Sequence, residues 1–363
     1  MPVKICLVSN FKDKGYGEST RPYYLSLELQ KLGYDILHIC DAKTEFKNGI
    51  QYIQRKPFSF PIKVLDRLIN FLYLFAKVHL FGPRFIYVHQ FNNGQWALST
   101  RTLPKVTFIF DAHTSLYFES EAFGIEKEIL THVFNVEKEI CEHSNYIIAA
   151  SEETRDILIK LYHADAAKFF VVKNATAIHS VPQPEKVSGE EFICSATLPF
   201  HFKSNEMALE FLFEVAAKVY QLNSKIQFHV LGGGDKPVPP TPNIVYTGYV
   251  EDIEAYLLKS NICLSPYPEK AVCGGARNKV CDYLALGKAI VSTKEGMRGF
   301  SDLVDGVHYL NADTVEDFAK AIIKLQTDNP LRKKVEKNAL EISHQYKWNK
   351  RAQELNSIFQ NLK

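Results

Sequence analysis

The chain has 363 residues, 46% hydrophobic and 23% charged, with no low-complexity tract or long run of like charge. This composition excludes disorder and fits about two folded domains. Its 43 lysines and arginines against 41 aspartates and glutamates leave a formal charge of +2, so nothing points to nucleic acid held through its phosphates.

In chain order, the N-terminus MPVKICLVSN enters a strand pattern directly, without the features of a signal peptide. That predicts a cytoplasmic protein, in which the sequon Asn174-Ala175-Thr176 is a turn rather than a glycosylation site. The seven cysteines are scattered, and Cys6, Cys40, Cys194 and Cys263 lie in apolar runs, as small core residues of a reducing compartment do. A strand at Lys4–Ser9, a loop with Gly15 and Gly17, a helix at Thr20–Leu32 and a strand at Tyr34–Cys40 form a βαβ unit. Ile62–Phe81 is strongly apolar and about as long as a membrane span, but Asp66, Arg67 and Lys77 interrupt it. Charges near the middle of a span are expensive, so a buried or half-buried helix is expected, with peripheral membrane contact as the alternative. Strands at Phe85–His89, Thr107–Phe110 and Tyr146–Ala150 continue the alternation and predict a parallel sheet covered on both faces.

The proline-rich, polar stretch Val181–Gly189 has the character of an interdomain linker. A second alternation follows, with strands at Phe192–Ala196, Ile226–Leu231, Asn243–Tyr246, Ile262–Ser265 and Ala289–Ser292. Helices are expected at Ser204–Tyr220, Ile253–Lys259 and about Ala276–Leu286, and a last one at about Trp348–Phe359. The predicted fold class is α/β: two Rossmann-like domains facing each other across a cleft.

The segment from Tyr267 to Val291 is the richest in chemistry. Gly274 and Gly275 precede a helix that Gly287 closes, and glycines ahead of a helix let backbone N–H groups approach a phosphate. Arg277 and Lys279 fall in the first turn, where a cation opposes the helix dipole. A diphosphate would supply the compensating anion. Asp282, three residues after Lys279, is placed either to accept hydrogen bonds from ribose hydroxyls or to form an intrahelical pair with Lys279.

This segment, with Glu295-Gly-Met-Arg-Gly299, Leu303-Val-Asp-Gly306 and Tyr346-Lys-Trp348, resembles the retaining GT-B glycosyltransferases of the family 4-like, group 1 type. Upstream, Lys173-Asn-Ala-Thr176 is similar to that family's domain-joining turn, Leu231-Gly-Gly-Gly234 to its glycine-rich strand end, and Gly248-Tyr-Val250 to the segment passing the nucleotide base. The resemblance implies an acceptor-binding domain at 1–180, a nucleotide-sugar donor domain at 181–345, and a C-terminal helix at 346–363 packing back toward the first domain. It implies donor contacts from Lys203, Gly232, Gly233, Tyr249, Gly274, Gly275 and Asp282, with Asp282 on the ribose. Gly274 stands where the family's E-x7-E motif has its first glutamate, which puts the usual sugar contact in doubt. Gly275, Arg277 and Lys279 fit a G-x-R-x-K variant of the loop, so diphosphate binding falls to those side chains. The loop Thr197–Asn205 corresponds to the family's basic pair; Lys203 is the clear candidate, His201 a weaker one, and Asn205 reads as a helix N-cap. In the first domain, Gly15 and Gly17 resemble the acceptor-side loop, and Asp111-Ala-His113 resembles the strand end whose histidine sits near the transferred sugar.

The reaction so implied cleaves a sugar–phosphate bond, with His113, Arg277 and Lys279 as catalytic residues and the sugar nucleotide as substrate. The acceptor is a glycan, lipid-linked or otherwise, and no metal or cofactor is expected, in keeping with a sequence that shows no D-x-D strand-end pair or His/Cys cluster at ligand spacing. Three other readings compete. A sugar-nucleotide epimerase would share the two-domain plan. An NAD enzyme is suggested by Gly15-x-Gly17 with Asp41, but Thr20 replaces the third glycine and the first loop is too long. A non-catalytic binding protein would explain Gly274.

Overall fold

The computed structural model describes residues 2–10, 19–59, 62–91, 97–98, 105–178, 191–200, 202–234 and 237–362. Gly15, Gly17, His201 and the linker Val181–Gly189 lie outside them. The chain divides into two compact units, Met1–Asn174 with Trp348–Lys363, and Ala175–Lys347.

In the first unit the strands are β1 (Lys4–Val8), β2 (Asp35–Cys40), β3 (Glu45–Lys47), β4 (Ile50–Gln54), β5 (Phe85–His89), β6 (Thr107–Ala112), β7 (Tyr146–Ala149) and β8 (Phe169–Val171). Their order is β3-β4-β2-β1-β5-β6-β7-β8, and every pairing is parallel except β3 with β4. β1, β2, β5 and β6 are buried along almost their whole length, which is why they read as continuous apolar runs. The hairpin β3–β4 was not expected from the sequence. The order reverses between β1 and β5, the kind of switch point that opens a crevice at the strand C-termini.

The apolar helix falls at Lys63–Phe81 and buries only Asn70, Leu74 and Val78, one stripe at four-residue spacing. Val64, Leu65, Leu68, Leu72 and Leu80 are exposed. Left-handed Gly82 ends it, donating its N–H to the Val78 carbonyl at 3.0 Å. No helix among the described residues is long and apolar enough to cross a membrane. The last helix, Trp348–Asn361, belongs to this unit: Trp348 stacks on Tyr24 at 6.1 Å and Phe359 on Phe85 at 4.8 Å.

The second unit contains β9 (Phe192–Thr197), β10 (Ile226–Leu231), β11 (Ile244–Gly248), β12 (Ile262–Ser265), β13 (Ala289–Ser292) and β14 (Leu310–Asn311). All pair in parallel in the order β11-β10-β9-β12-β13-β14, reversing between β9 and β12. Its Val315–Thr327 and Asn329–Ser343 helices were also not expected from the sequence.

The unit boundary at 174/175 differs from the expected 180/181. Ala175–Ile178 is held inside the second unit, where Lys347 Nζ donates to the Ile178 carbonyl at 2.6 Å and Thr176 N–H to the Tyr346 carbonyl at 3.0 Å. The same contacts keep Tyr346 and Lys347 there, so the return to the first unit comes at Trp348 rather than at 346.

Candidate active site

The second unit's site is built where β9 and β12 diverge. Beyond β12 the chain reaches Tyr267, runs through Ala271–Arg277 and enters the helix Asn278–Ala285. This helix starts two residues later than expected because Arg277 is extended, with ψ 106°, and occupies the N-cap position. Gly274 and Gly275 are buried just ahead of it. At the far end Gly287 is left-handed, φ 61°, as predicted for a closing glycine.

Tyr267 organises the site and was not singled out by its spacing. Its fully buried ring lies under the Arg277 guanidinium, 3.3 Å from carbon to ring centre. Its hydroxyl donates to Asn205 Oδ1 at 2.6 Å and accepts from Lys279 Nζ at 2.5 Å. Lys279 also donates to the Thr197 carbonyl, and burial, with Arg277 nearby, pushes its pKa down to about 7. Burial raises the Tyr267 phenol to about 12.

Arg277 is 7% exposed. Its Nη2 donates to the Ala271 carbonyl at 2.7 Å and lies 3.4 Å from Glu295 Oε1; its buried Nε has no hydrogen-bond partner among the described residues. The anion that compensates this cation is therefore already present in the chain. Asp282 does not pair with Lys279. Its Oδ1 accepts from the Thr176 hydroxyl at 2.6 Å, and burial raises its carboxyl to about 6 against the opposing effect of that hydrogen bond and of Lys347.

Asn205 is not an N-cap. The helix Lys203–Leu222 begins after Phe202, and Asn205 uses its side chain to hold the Pro199 carbonyl, at 2.7 Å, and Tyr267. Lys203 is 56% exposed and pairs with Glu206 at 2.9 Å. Gly232, at φ 148°, lets the β10 end approach the β9 loop: a Cβ there would lie 2.7 Å from the Leu198 carbonyl oxygen. Gly233 accepts the Phe200 N–H at 3.0 Å. Tyr249, just beyond β11, is 64% exposed.

In the first unit, half-buried His113 follows the end of β6, its ring 6.0 Å from that of His89. Burial pushes His89 down to about 3. Asp111 in the same segment is bound on both oxygens by Arg21 Nε, at 3.1 and 2.8 Å. Burial alone would raise the Asp111 carboxyl, but Arg21 and His89 bring it below its ordinary value. Arg21 further reaches the Lys173 carbonyl and Asn174 Oδ1, each at 3.2 Å. Asp41, the acidic residue of the dinucleotide reading, is paired with Arg55 at 2.9 Å. A cavity of about 760 Å³ opens beside these strand ends, lined among others by Asn10, Asp41, Arg55, Asp66, Asn70 and Phe71.

No curated protein matches the chain in sequence. Solved structures match it along its length: sucrose-phosphate synthase from Thermosynechococcus elongatus at TM-score 0.77, 15% identity and 99% and 98% coverage of the two chains. A glycosyltransferase from Rickettsia africae aligns at 0.76, 15%, and 99% and 98%. Anabaena HepE in complex with UDP and glucose aligns at 0.76, 15%, and 99% and 100%. At that identity they speak for the fold. Family models speak for the enzyme class: residues 17–178 match Glycosyltransferase Family 4 and residues 191–328 match Glycosyl transferases group 1. With both halves matched in order, the chain belongs to the group 1, family 4 glycosyltransferases of the GT-B fold and is a glycosyltransferase rather than an epimerase or an NAD enzyme.

Proposed function

We propose that this enzyme takes a hexosyl group from a nucleoside-diphosphate sugar, with retention and without metal, and delivers it to a glycan or lipid-linked acceptor. The observation that carries the donor side is the cluster of Arg277, Lys279 and Tyr267 at the N-terminal end of the Asn278–Ala285 helix. Two cations and the helix N–H groups converge there, and preorganised donors of this kind stabilise charge as it develops on a departing diphosphate. Charge neutralisation by Arg277 and Lys279 takes the place of a metal in this scheme. Asp282 serves the ribose with the oxygen not taken by Thr176, Gly232 and Gly233 line the diphosphate side, and Tyr249 meets the base. Lys203 contributes as an exposed surface cation, and His113 is the first unit's candidate for acting on the transferred sugar. UDP is the first nucleotide to try, because the HepE structure holds it.

On the acceptor side, the first unit's cavity combines two carboxylates, two amides, two arginines and a lysine with the Phe71 ring, a set that suits sugar hydroxyls and a sugar face. The exposed leucines of Lys63–Phe81 lie on the helix that lines it. They support peripheral contact with a membrane surface, which would bring a lipid-linked acceptor to the cavity.

The test is a transfer assay in EDTA with UDP-, GDP- and ADP-sugars against oligosaccharide and lipid-linked acceptors, the product's anomeric configuration being read by NMR. A product with the donor's configuration supports the proposal. Inversion, or a strict metal requirement, overturns the mechanism.

A further inference from the structure

Glu295 opens the short turn Glu295–Met297 after β13 and is 5% exposed. Its Oε1 accepts the Cys273 N–H at 3.0 Å and lies 3.4 Å from Arg277 Nη2. Its Oε2 takes Arg298 Nη2 at 2.7 Å and Nε at 2.8 Å. One carboxylate oxygen thus meets both ends of the Gly274-Gly275-Ala276 segment, residue 273 on one side and residue 277 on the other.

The turn that carries Glu295 is itself fixed. Gly296 is so tightly seated that a Cβ would stand 2.2 Å from the Ser265 carbonyl oxygen, while its N–H donates to Thr293 Oγ1 at 2.9 Å. Gly299, at φ 86°, packs beneath the loop: a Cβ there would meet Ala276 Cβ at 2.5 Å. The carboxylate is therefore presented by a rigid support, as positioned second-tier groups must be to orient the atoms they hold.

We propose that Glu295 is a positioning residue for sugar transfer, the built-in counter-anion that holds Arg277 and the Cys273 N–H so that the glycine loop is set before the donor arrives. This rests on the reading of that loop as the diphosphate site. Glu295 with Arg277 and Arg298 leaves one net positive charge, so the carboxylate costs some attraction for the diphosphate in exchange for alignment. Removing its charge frees Arg277 to follow the diphosphate. The product then binds more tightly, while the loop loses the alignment that favours the transition state.

The test compares wild type with Glu295→Gln and Glu295→Asp. Whichever of UDP, GDP and ADP raises the wild-type melting temperature is titrated calorimetrically, and nucleoside diphosphate released from the matching sugar nucleotides in water gives turnover without an acceptor. Glu295→Gln keeps the size and an acceptor oxygen; it is expected to bind the nucleoside diphosphate about threefold tighter and to turn over at least about tenfold more slowly. Glu295→Asp shifts both in the same directions by less, and carries the comparison if Glu295→Gln does not fold. Both quantities unchanged, or both weakened together with a falling melting temperature, overturns the proposal while leaving the donor site standing. Failure of wild type to bind any of the three nucleotides removes the donor-site reading, and this proposal with it.

Discussion

The Arg277 guanidinium rests 3.3 Å above the centre of the Tyr267 ring, and the same tyrosine's hydroxyl joins Asn205 to Lys279. A desolvated cation–π contact of this kind contributes about 2 kcal/mol. Tyr267→Phe keeps the ring and removes the hydroxyl, leaving Asn205 Oδ1 and Lys279 each short of a partner. It is expected to destabilise the protein by about 1–3 kcal/mol in urea unfolding. A loss below about 0.5 kcal/mol would show that water or rearrangement replaces the hydroxyl.

If Lys279 contacts the donor as proposed, its lowered pKa gives nucleotide binding a pH dependence. Its folded pKa, about 7, lies below the ordinary 10.5, so folding releases a proton between those values and the burden of burying this cation lightens as pH rises through that window. Binding a diphosphate favours the charged form, so affinity is full below pH 7 and declines above it. Calorimetric titration should show nucleoside-diphosphate affinity falling by about tenfold or more from pH 7 to 9, and a flat profile in Lys279→Arg, which stays charged. Identical slopes in both proteins would assign the dependence to another group.

Arg21 and Asp111 form a fully buried ion pair in the first unit. Taking away one partner leaves the other charge buried and alone, at a cost of about 3–5 kcal/mol. Asp111→Asn should lower stability by that order in chemical denaturation. A near-neutral result would mean that the Arg21 bonds to Lys173 and Asn174 suffice.

The exposed leucines give a separate prediction. Leu68→Asp with Leu72→Asp should reduce cosedimentation with anionic phospholipid vesicles by about tenfold or more, since each buried leucine contributes about 1.5–3 kcal/mol. Equal sedimentation of variant and wild type would remove the membrane surface as the partner of this helix.

The strands were legible because burial on both faces leaves apolar runs in the sequence: Phe85–His89 was placed at its observed bounds, and Thr107–Phe110 was short by two residues. β3 carries no such signal, since Glu45–Lys47 is exposed throughout. The glycine loop and its cations were legible from local spacing. Their partners were not: Tyr267 meets both cations, Glu295 meets Arg277 and Asn205 joins through Tyr267 only by tertiary packing, with Glu295 18 residues from Arg277 and Asn205 62 residues from Tyr267. The sequence clue that was available, a cation at the helix start in need of an anion, was answered from within the fold by Glu295. Asp282 was likewise taken for a possible partner of Lys279 because helix spacing shows neighbours on one helix and cannot show Thr176, 106 residues away.

The most direct measurement is calorimetric titration of UDP, GDP and ADP, in EDTA, into wild type and into Arg277→Ala with Lys279→Ala, each checked for folding by circular dichroism. The account predicts that wild type binds one nucleoside diphosphate and that the folded double variant loses at least about a hundredfold in affinity, two charge-assisted contacts being removed. Equal binding by the two proteins would contradict the placement of the donor diphosphate at this loop.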